Sequence, residues 1–433
     1  RGLNRAAAAP TPMPERTSCC IVGGGPGGAI LGLLLSRLGV ATVLLEAKHD
    51  FDRAFRGDTV HPSTLEMLDD LGLADPLLAR EHGRLQRMTL RSGSTSTVLA
   101  DFSRLRTRFP FIAMIPQAEF LEFVVDAAKT HGCFDLRMGS RVTDLIVGDE
   151  HDTNEDTRRE GTMPGPVRGV RYRDQDGEHE LWATLTVAAD GRTSHVRAQA
   201  GFEPRPNAAA MDVMWLVLPR RNDERGIDLT GFRIGHGRLV VVLARATEWQ
   251  LGYVILKGSQ HTVKEAGLPL LRAEVASLVP ELADRVHTIE DWTDVHFLSV
   301  ESSRVPTWHR PGLLALGDAA HVMSPIGGVG INYAIQDAVA AANYLAKPLL
   351  AGTLSDADLA AVQRRREFPT RFIQGFQAIV QRLVVARALE GRPFRLPLPA
   401  RLVSYLPWLR DLPARVVGWG FRPERVAQKH LTR

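Results

Sequence analysis

The chain has 433 residues, 44% hydrophobic and 24% charged, with a formal net charge of +4. That length exceeds one small core and predicts two or three units, with the balance of an ordinary globular protein. Scattered arginines give no nucleic-acid-reading block, three cysteines make neither a disulfide framework nor a zinc pattern, and no apolar run is long enough to span a membrane. No nucleic-acid partner and no transmembrane segment are therefore expected, and a reducing, cytoplasmic setting is.

Residues 1–16, "RGLNRAAAAPTPMPER", lack the apolar core of a secretion signal and predict a disordered tail. Residues 18–22 read as a strand. Leu31, Leu34, Leu35 and Leu38 then repeat at helical spacing until Gly39 stops the helix, and "ATVLLE" reads as a buried parallel strand. Between the first strand and the helix, "CIVGGGPGG" carries five glycines, a conformational cost that needs a reason. Gly23, Gly25 and Gly28 spell G-x-G-x-x-G, with Pro26 and Gly27 inside the loop. The first glycine permits a tight turn, the second lets the backbone approach a pyrophosphate, and the third lets helix and sheet pack closely. The helix N-terminus adds free N–H groups and partial positive charge. Glu46, followed by Ala47, ends the second strand where a carboxylate can bind adenosine ribose hydroxyls. A tight turn beside a surface glutamate is the plainer alternative. Strand, loop, helix and acid together favour a dinucleotide.

"HPSTLEMLDDLGL" predicts a helix with Ser63 as cap, Glu66 completing a capping box and Gly72 at its end. A second helix runs through "PQAEFLEFVVDAAKTHG". Strands follow at "RVTDLIVG", "VRGVRYRD" and "LWATLTVAAD", the first two separated by a polar, exposed loop over 149–166. Residues 211–256 change character: "MDVMWLVLP", "GFRIG", "RLVVVLARA" and "WQLGYVILK" predict a separate sheet inserted into the α/β frame. "GLLALGDAAH" returns to a buried strand and "GINYAIQDAVAAANYLA" to a helix. In the tail, Phe372, Phe376, Ile379 and Leu383 make one apolar face of a helix that Pro369 is expected to kink. Trp408 and Trp419 could touch a membrane surface but are expected to pack on the protein's own body.

"GDAAHVMSPIGGVGIN" places Asp318 at a strand end, followed by Pro325, Gly327, Gly328 and Gly330, with Ile331 and Asn332 opening the helix. A strand-end carboxylate can bind a polyol such as a ribityl chain. A glycine turn feeding a helix N-terminus can stabilise negative charge on a reduced flavin. Asp318 as a plain helix cap is the alternative. No ligand partners stand at metal spacing around His321, so no metal is expected, and no G-x-S-x-G elbow is present.

The glycine loop, the "VAADGRTSHVR" segment (Asp190, Gly191, Ser194, Arg197) and "GDAAHxxxPxxGxGxN" together resemble the class A flavin-dependent aromatic hydroxylases, the para-hydroxybenzoate hydroxylase family, over most of residues 18–350. The resemblance implies an α/β fold: a Rossmann-like FAD-binding domain with an inserted mixed β-sheet substrate domain and a C-terminal helical tail. The expected divisions are 17–200 for the first part of the FAD domain, with 81–108 contributing to the substrate domain. The substrate sheet takes 201–290, the closing part of the FAD domain 291–350, and the helical region 351–433. The resemblance also implies that Arg56 and Gln117 contact FAD, held noncovalently, with NAD(P)H as co-substrate. It implies O₂ transfer to an aromatic substrate through a flavin C4a-hydroperoxide. Ile326 stands where some phenol hydroxylases have a hydroxyl residue, and no arginine pair for a small carboxylate is evident. A larger, largely apolar, planar substrate is expected. Trp215, Phe232, Arg245, Trp249 and Tyr253 are candidate pocket residues, the aromatics being otherwise core. The rivals are a reductase or halogenase of the same fold and a non-catalytic flavin-binding redox partner. The halogenase Trp-x-Trp-x-Ile-Pro motif is absent from the sequence.

Overall fold

The structure, a computed structural model, describes residues 14–52, 57–148, 165–207, 209–224, 227–391, 394 and 407–427. Arg56, residues 1–13 of the expected tail and residues 149–164 of the expected loop lie outside these.

An eight-stranded sheet forms the frame. Strand β1 (Glu15–Val22) starts two residues inside the expected tail, because Glu15 and Arg16 already pair with Leu181 and Trp182. It lies between β2 (Thr42–Leu45) and the strand Gly177–Ala188, parallel to both. Phe134–Arg137 and Leu313–Ala315 extend the parallel set outward. Helix α1 (Pro26–Arg37) crosses from β1 to β2 and is buried on nearly every side, with Gly39 at φ +85 turning the chain back. Its core takes in Ile30, Leu31, Leu34 and Leu44, together with Val339 and Leu345 of the helix Gly330–Ala351.

The insertion is a seven-stranded sheet. Its order is His296–Leu298, Met211–Pro219, Glu248–Leu256, Arg238–Ala244, Gly231–Gly235, Arg87–Ser92, Thr95–Asp101. The two last strands come from early in the chain and pair antiparallel with each other, and Gly231–Gly235 pairs in parallel with Arg87–Ser92. The sheet runs past residue 290, since His296 pairs with Trp215. Residues 260–288 are helical rather than strand, and Leu268, Leu271, Val275 and Leu282 cover the sheet's outer face.

Two expectations fail locally. The helix Pro62–Asp70 has His61 at its N-cap, and no side chain caps it. Ser63 Oγ instead donates to Asn332 Oδ1 at 2.7 Å, and Glu66 accepts from the Trp419 indole at 3.2 Å. Both are drawn into contacts with distant chain, so no capping box forms. In the tail, the helix Asp356–Val380 contains Pro369, and the expected apolar face is the part that fails. Its buried residues include Leu359, Val362, Arg366, Ile373 and Gln377, while Phe372 and Ile379 are exposed. Polar residues with partners of their own take the inward face there.

Candidate functional site

Three motifs far apart in sequence meet at the carboxyl ends of the parallel strands. Gly23 has φ +106, and a Cβ there would stand 2.5 Å from Ala189 O, in the turn leading to Asp190. A Cβ on Gly28 would fall 2.0 Å from Gly23 O, so only glycine lets α1 start this close to its strand. Gly25 is different: a Cβ there meets nothing within 4 Å. The middle glycine thus faces open space at the helix N-terminus, where Gly25 is the N-cap, Pro26 is the first helical residue and no side chain caps the N–H groups. A pyrophosphate fits that cradle.

Glu46 is buried, and its carboxylate accepts from Gly24 N at 2.8 Å and Lys48 N at 3.0 Å. It braces the glycine loop; Ala47 beside it is exposed. In the second motif Asp190 accepts from Ser194 Oγ and from Val196 N at 3.1 Å, and burial raises its pKa. Arg192 reaches across to Asp318, Nε to Oδ2 3.3 Å, and joins the second and third motifs. Asp318 caps no helix: its short 3-10 turn begins at Leu316 without a side-chain cap.

The third motif forms a half-buried rim, Pro325, Ile326, Gly327, Gly328, Gly330 and Ile331, before the helix Gly330–Ala351. That helix also starts without a side-chain cap. Asn332 is fully buried; its Oδ1 takes hydrogen bonds from Ser63 and Thr64, and its Nδ2 has no partner among the described residues. Open N-termini, a glycine cradle and an orphaned buried donor fit FAD, with Asp318 available to ribityl hydroxyls.

Residues 57–61 lie against the same rim. A Cβ on Gly57 would approach Ile331 Cδ1 to 3.2 Å, and Thr59 Oγ1 donates to Gly328 O at 2.9 Å. His61 is fully buried, with Nε2 3.0 Å from Gly328 O and Nδ1 2.7 Å from Val417 O. Burial pushes its pKa down to about 4. Gln117 opens its helix half-buried, and its backbone N–H reaches the Asp58 carboxylate. Burial raises the Asp58 pKa even though Arg245, its partner, opposes the rise. Behind the rim, fully buried Asp337 accepts from Arg366 Nε at 2.9 Å and lies 2.6 Å from His321 Nε2. Burial works against its charge, but His321 and Arg366 prevail and its pKa is lowered.

The insertion sheet has two distinct faces. Trp249 and Tyr253 point outward into the core beneath the helices of residues 268–288. The Trp249 indole donates to Glu224 at 3.0 Å and the Tyr253 hydroxyl to Glu274. Strand alternation turns both away from the rim, and neither lines a pocket beside it. Trp215 and Phe232 point to the inner face, half-buried, and pack in one cluster with Ile326. Arg245 sits at the end of that inner row but is bound to Asp58, joining the insertion to the frame. Sequence reading missed Arg192, Asp58 and His61. The signal for the last two was the charged and polar "RGDTVH" run set in front of a helix.

The chain matches the family model described as an FAD binding domain over residues 16–375. It is 31% identical over 404 residues to a 6-methylpretetramide 4-monooxygenase of Streptomyces rimosus, covering 92% of each chain. It is 28% identical to a 12-dehydrotetracycline 5-monooxygenase/anhydrotetracycline 6-monooxygenase of Streptomyces rimosus subsp. rimosus, over 75% of this chain but only 61% of that protein. Among solved structures, PqsL of P. aeruginosa in complex with 2-aminobenzoylacetate superposes with TM-score 0.71 at 18% identity, covering 88% of this chain and 98% of that one.

Proposed function

The chain belongs to the FAD binding domain family of flavin-dependent aromatic-ring monooxygenases, and from that premise we propose that it hydroxylates a large, planar phenolic substrate at the expense of NAD(P)H and O₂. FAD, when bound, supplies the oxygen-activating chemistry. The chain's own residues bind it, exclude water and hold the substrate.

In this reading the open space at Gly25 receives the pyrophosphate, with Gly23, Pro26, Gly27 and Gly28 shaping the loop. Glu46 and Ala47 flank the adenosine ribose. Asp318 takes ribityl hydroxyls, while Pro325, Gly328, Gly330, Ile331 and Asn332 face the ring system. Gln117, and Arg56 by family resemblance alone, complete the cofactor contacts. Trp215, Phe232 and Ile326 form the substrate wall. The reducing, cytoplasmic setting belongs to the same proposal, supported by three free thiols. No helix among the described residues is long and apolar enough to cross a membrane.

The observation that carries the substrate class is the inner face itself: half-buried Trp215, Phe232 and Val241 make an apolar patch in one cluster with Ile326 and with Val384, Val385, Ala388 and Leu389 of the tail, and Leu243 continues it into the neighbouring cluster. The polycyclic substrates named for two relatives suit such a surface. The test supplies the FAD-loaded protein with NAD(P)H, a polycyclic phenol and isotopically labelled O₂. One labelled oxygen atom should enter the product. A product formed equally well without O₂, or carrying oxygen only from water, would give the protein to the reductase reading.

A further inference from the structure

On the inner face of the insertion sheet one residue is out of keeping with its surroundings. Gln250 lies in the strand Glu248–Leu256 between Trp249 and Leu251, which both point into the outer core. Its side chain therefore points inward, with Gly252 and Val254. Directly across from it stand Val217 and Leu243, both half-buried. Trp215 is its diagonal neighbour, and a Cβ on Gly252 would meet the Trp215 ring at 3.0 Å, so the indole lies over the glycine beside Gln250.

Gln250 is only 4% exposed, and its amide has no hydrogen-bond partner among the described residues. The four other buried glutamines there behave otherwise. Gln336, Gln374, Gln377 and Gln381 donate to backbone carbonyls or a serine hydroxyl at 2.7–3.1 Å. The amide is not fully enclosed, so it opens onto the inner face, where a ligand can take the place of water.

We propose that Gln250 determines substrate specificity by hydrogen bonding to a phenolic hydroxyl or ring carbonyl of a planar substrate laid on the Trp215–Leu243 surface. The inference rests on the monooxygenase reading and adds the chemistry of recognition. An amide offers both a donor and an acceptor, so it suits phenol and keto forms alike. It carries no charge, and Val217, Leu243 and Trp215 around it supply none. Arg245, the next inward residue beyond Leu243, is already paired with Asp58, so a carboxylate placed there would compete for a cation in use and the selected group is neutral.

The test uses the oxidised FAD-loaded protein and two probes of similar shape, 1-naphthol and 1-methylnaphthalene, titrated by the change in flavin absorbance. The wild type should prefer the naphthol by about tenfold or more. In Gln250→Met the preference should fall close to unity, with methylnaphthalene binding and FAD content unchanged. If the methionine variant does not load FAD, Gln250→Leu is judged by the same ratio. A preference kept in the variant overturns the proposal. So does a wild type that binds neither probe or does not distinguish them. The assay needs no turnover, so its failure is separable from failure of the labelled-oxygen experiment.

Discussion

The glycine loop separates folding from function one residue at a time. Gly28 has no room for a methyl, because Gly23 O would stand 2.0 Å away, and backbone cannot swing aside as a side chain can. Gly28→Ala should cost about 3 kcal/mol or more of stability, read as a lowered urea midpoint without FAD. Gly25→Ala should leave that midpoint within about 0.5 kcal/mol of wild type, since its Cβ meets nothing. FAD affinity should nevertheless fall about tenfold, because the methyl occupies the space assigned to pyrophosphate. Equal FAD affinity in Gly25→Ala and wild type would remove that assignment. The loop was legible because its chemistry is local: a strand, a turn and a helix consecutive in residues 15–37. Asp58 was not, because its partner Arg245 lies 187 positions away, and no periodicity joins two such residues.

Strands of the insertion were legible in the same way, from alternation over 211–219, 231–235, 238–244 and 248–256. Alternation gives two faces but does not say which one another unit will cover. Trp249 and Tyr253 share a face, as the pattern requires, but the helices of residues 268–288 seal it. The resemblance assigns 81–108 to the substrate domain, where the strands at 87–101 lie, but alternation does not say that they take the far edge of the sheet. Helix termini show the same limit. Ser63 looked like a cap, yet the helix Pro62–Asp70 is fixed by His61 between the carbonyls of Gly328 and Val417. That histidine is buried, and its pKa is about 4 instead of the ordinary 6.5. A folded-state pKa below the unfolded value means the unfolded chain binds the extra proton first. The stabilisation is complete above about pH 6.5 and is lost as pH falls towards 4, by about 3 kcal/mol in total. Urea midpoints at pH 7 and pH 4.5 should therefore differ less in His61→Gln than in wild type. An unchanged pH slope in the variant would show that His61 is not the titrating group.

At the scale of the whole molecule, the site lies between units that fold around separate cores: one under the parallel sheet, one between the insertion sheet and its outer helices. Their relative placement decides how far the Trp215 surface stands from the flavin rim. The pair Arg245–Asp58 is a charged contact across that gap. Asp58 is 7% exposed, and burial already raises its pKa against the pull of Arg245. Its carboxylate also takes the Gln117 N–H, and Ile115 N donates to its backbone carbonyl, so the residue ties two segments of the frame to the insertion. Removing only the arginine leaves a buried carboxylate without its cation, which should cost about 3 kcal/mol. Removing the charge from both partners should cost less. Arg245→Met is therefore expected to be more destabilised than Arg245→Met with Asp58→Asn, a coupling of about 1–3 kcal/mol in a double-mutant cycle. Both variants should still load FAD, but the single variant should bind aromatic ligands more weakly, because the sheet face is no longer held in place. Strictly additive costs would mean that the two residues are merely neighbours, and that the insertion is held by its apolar contacts alone.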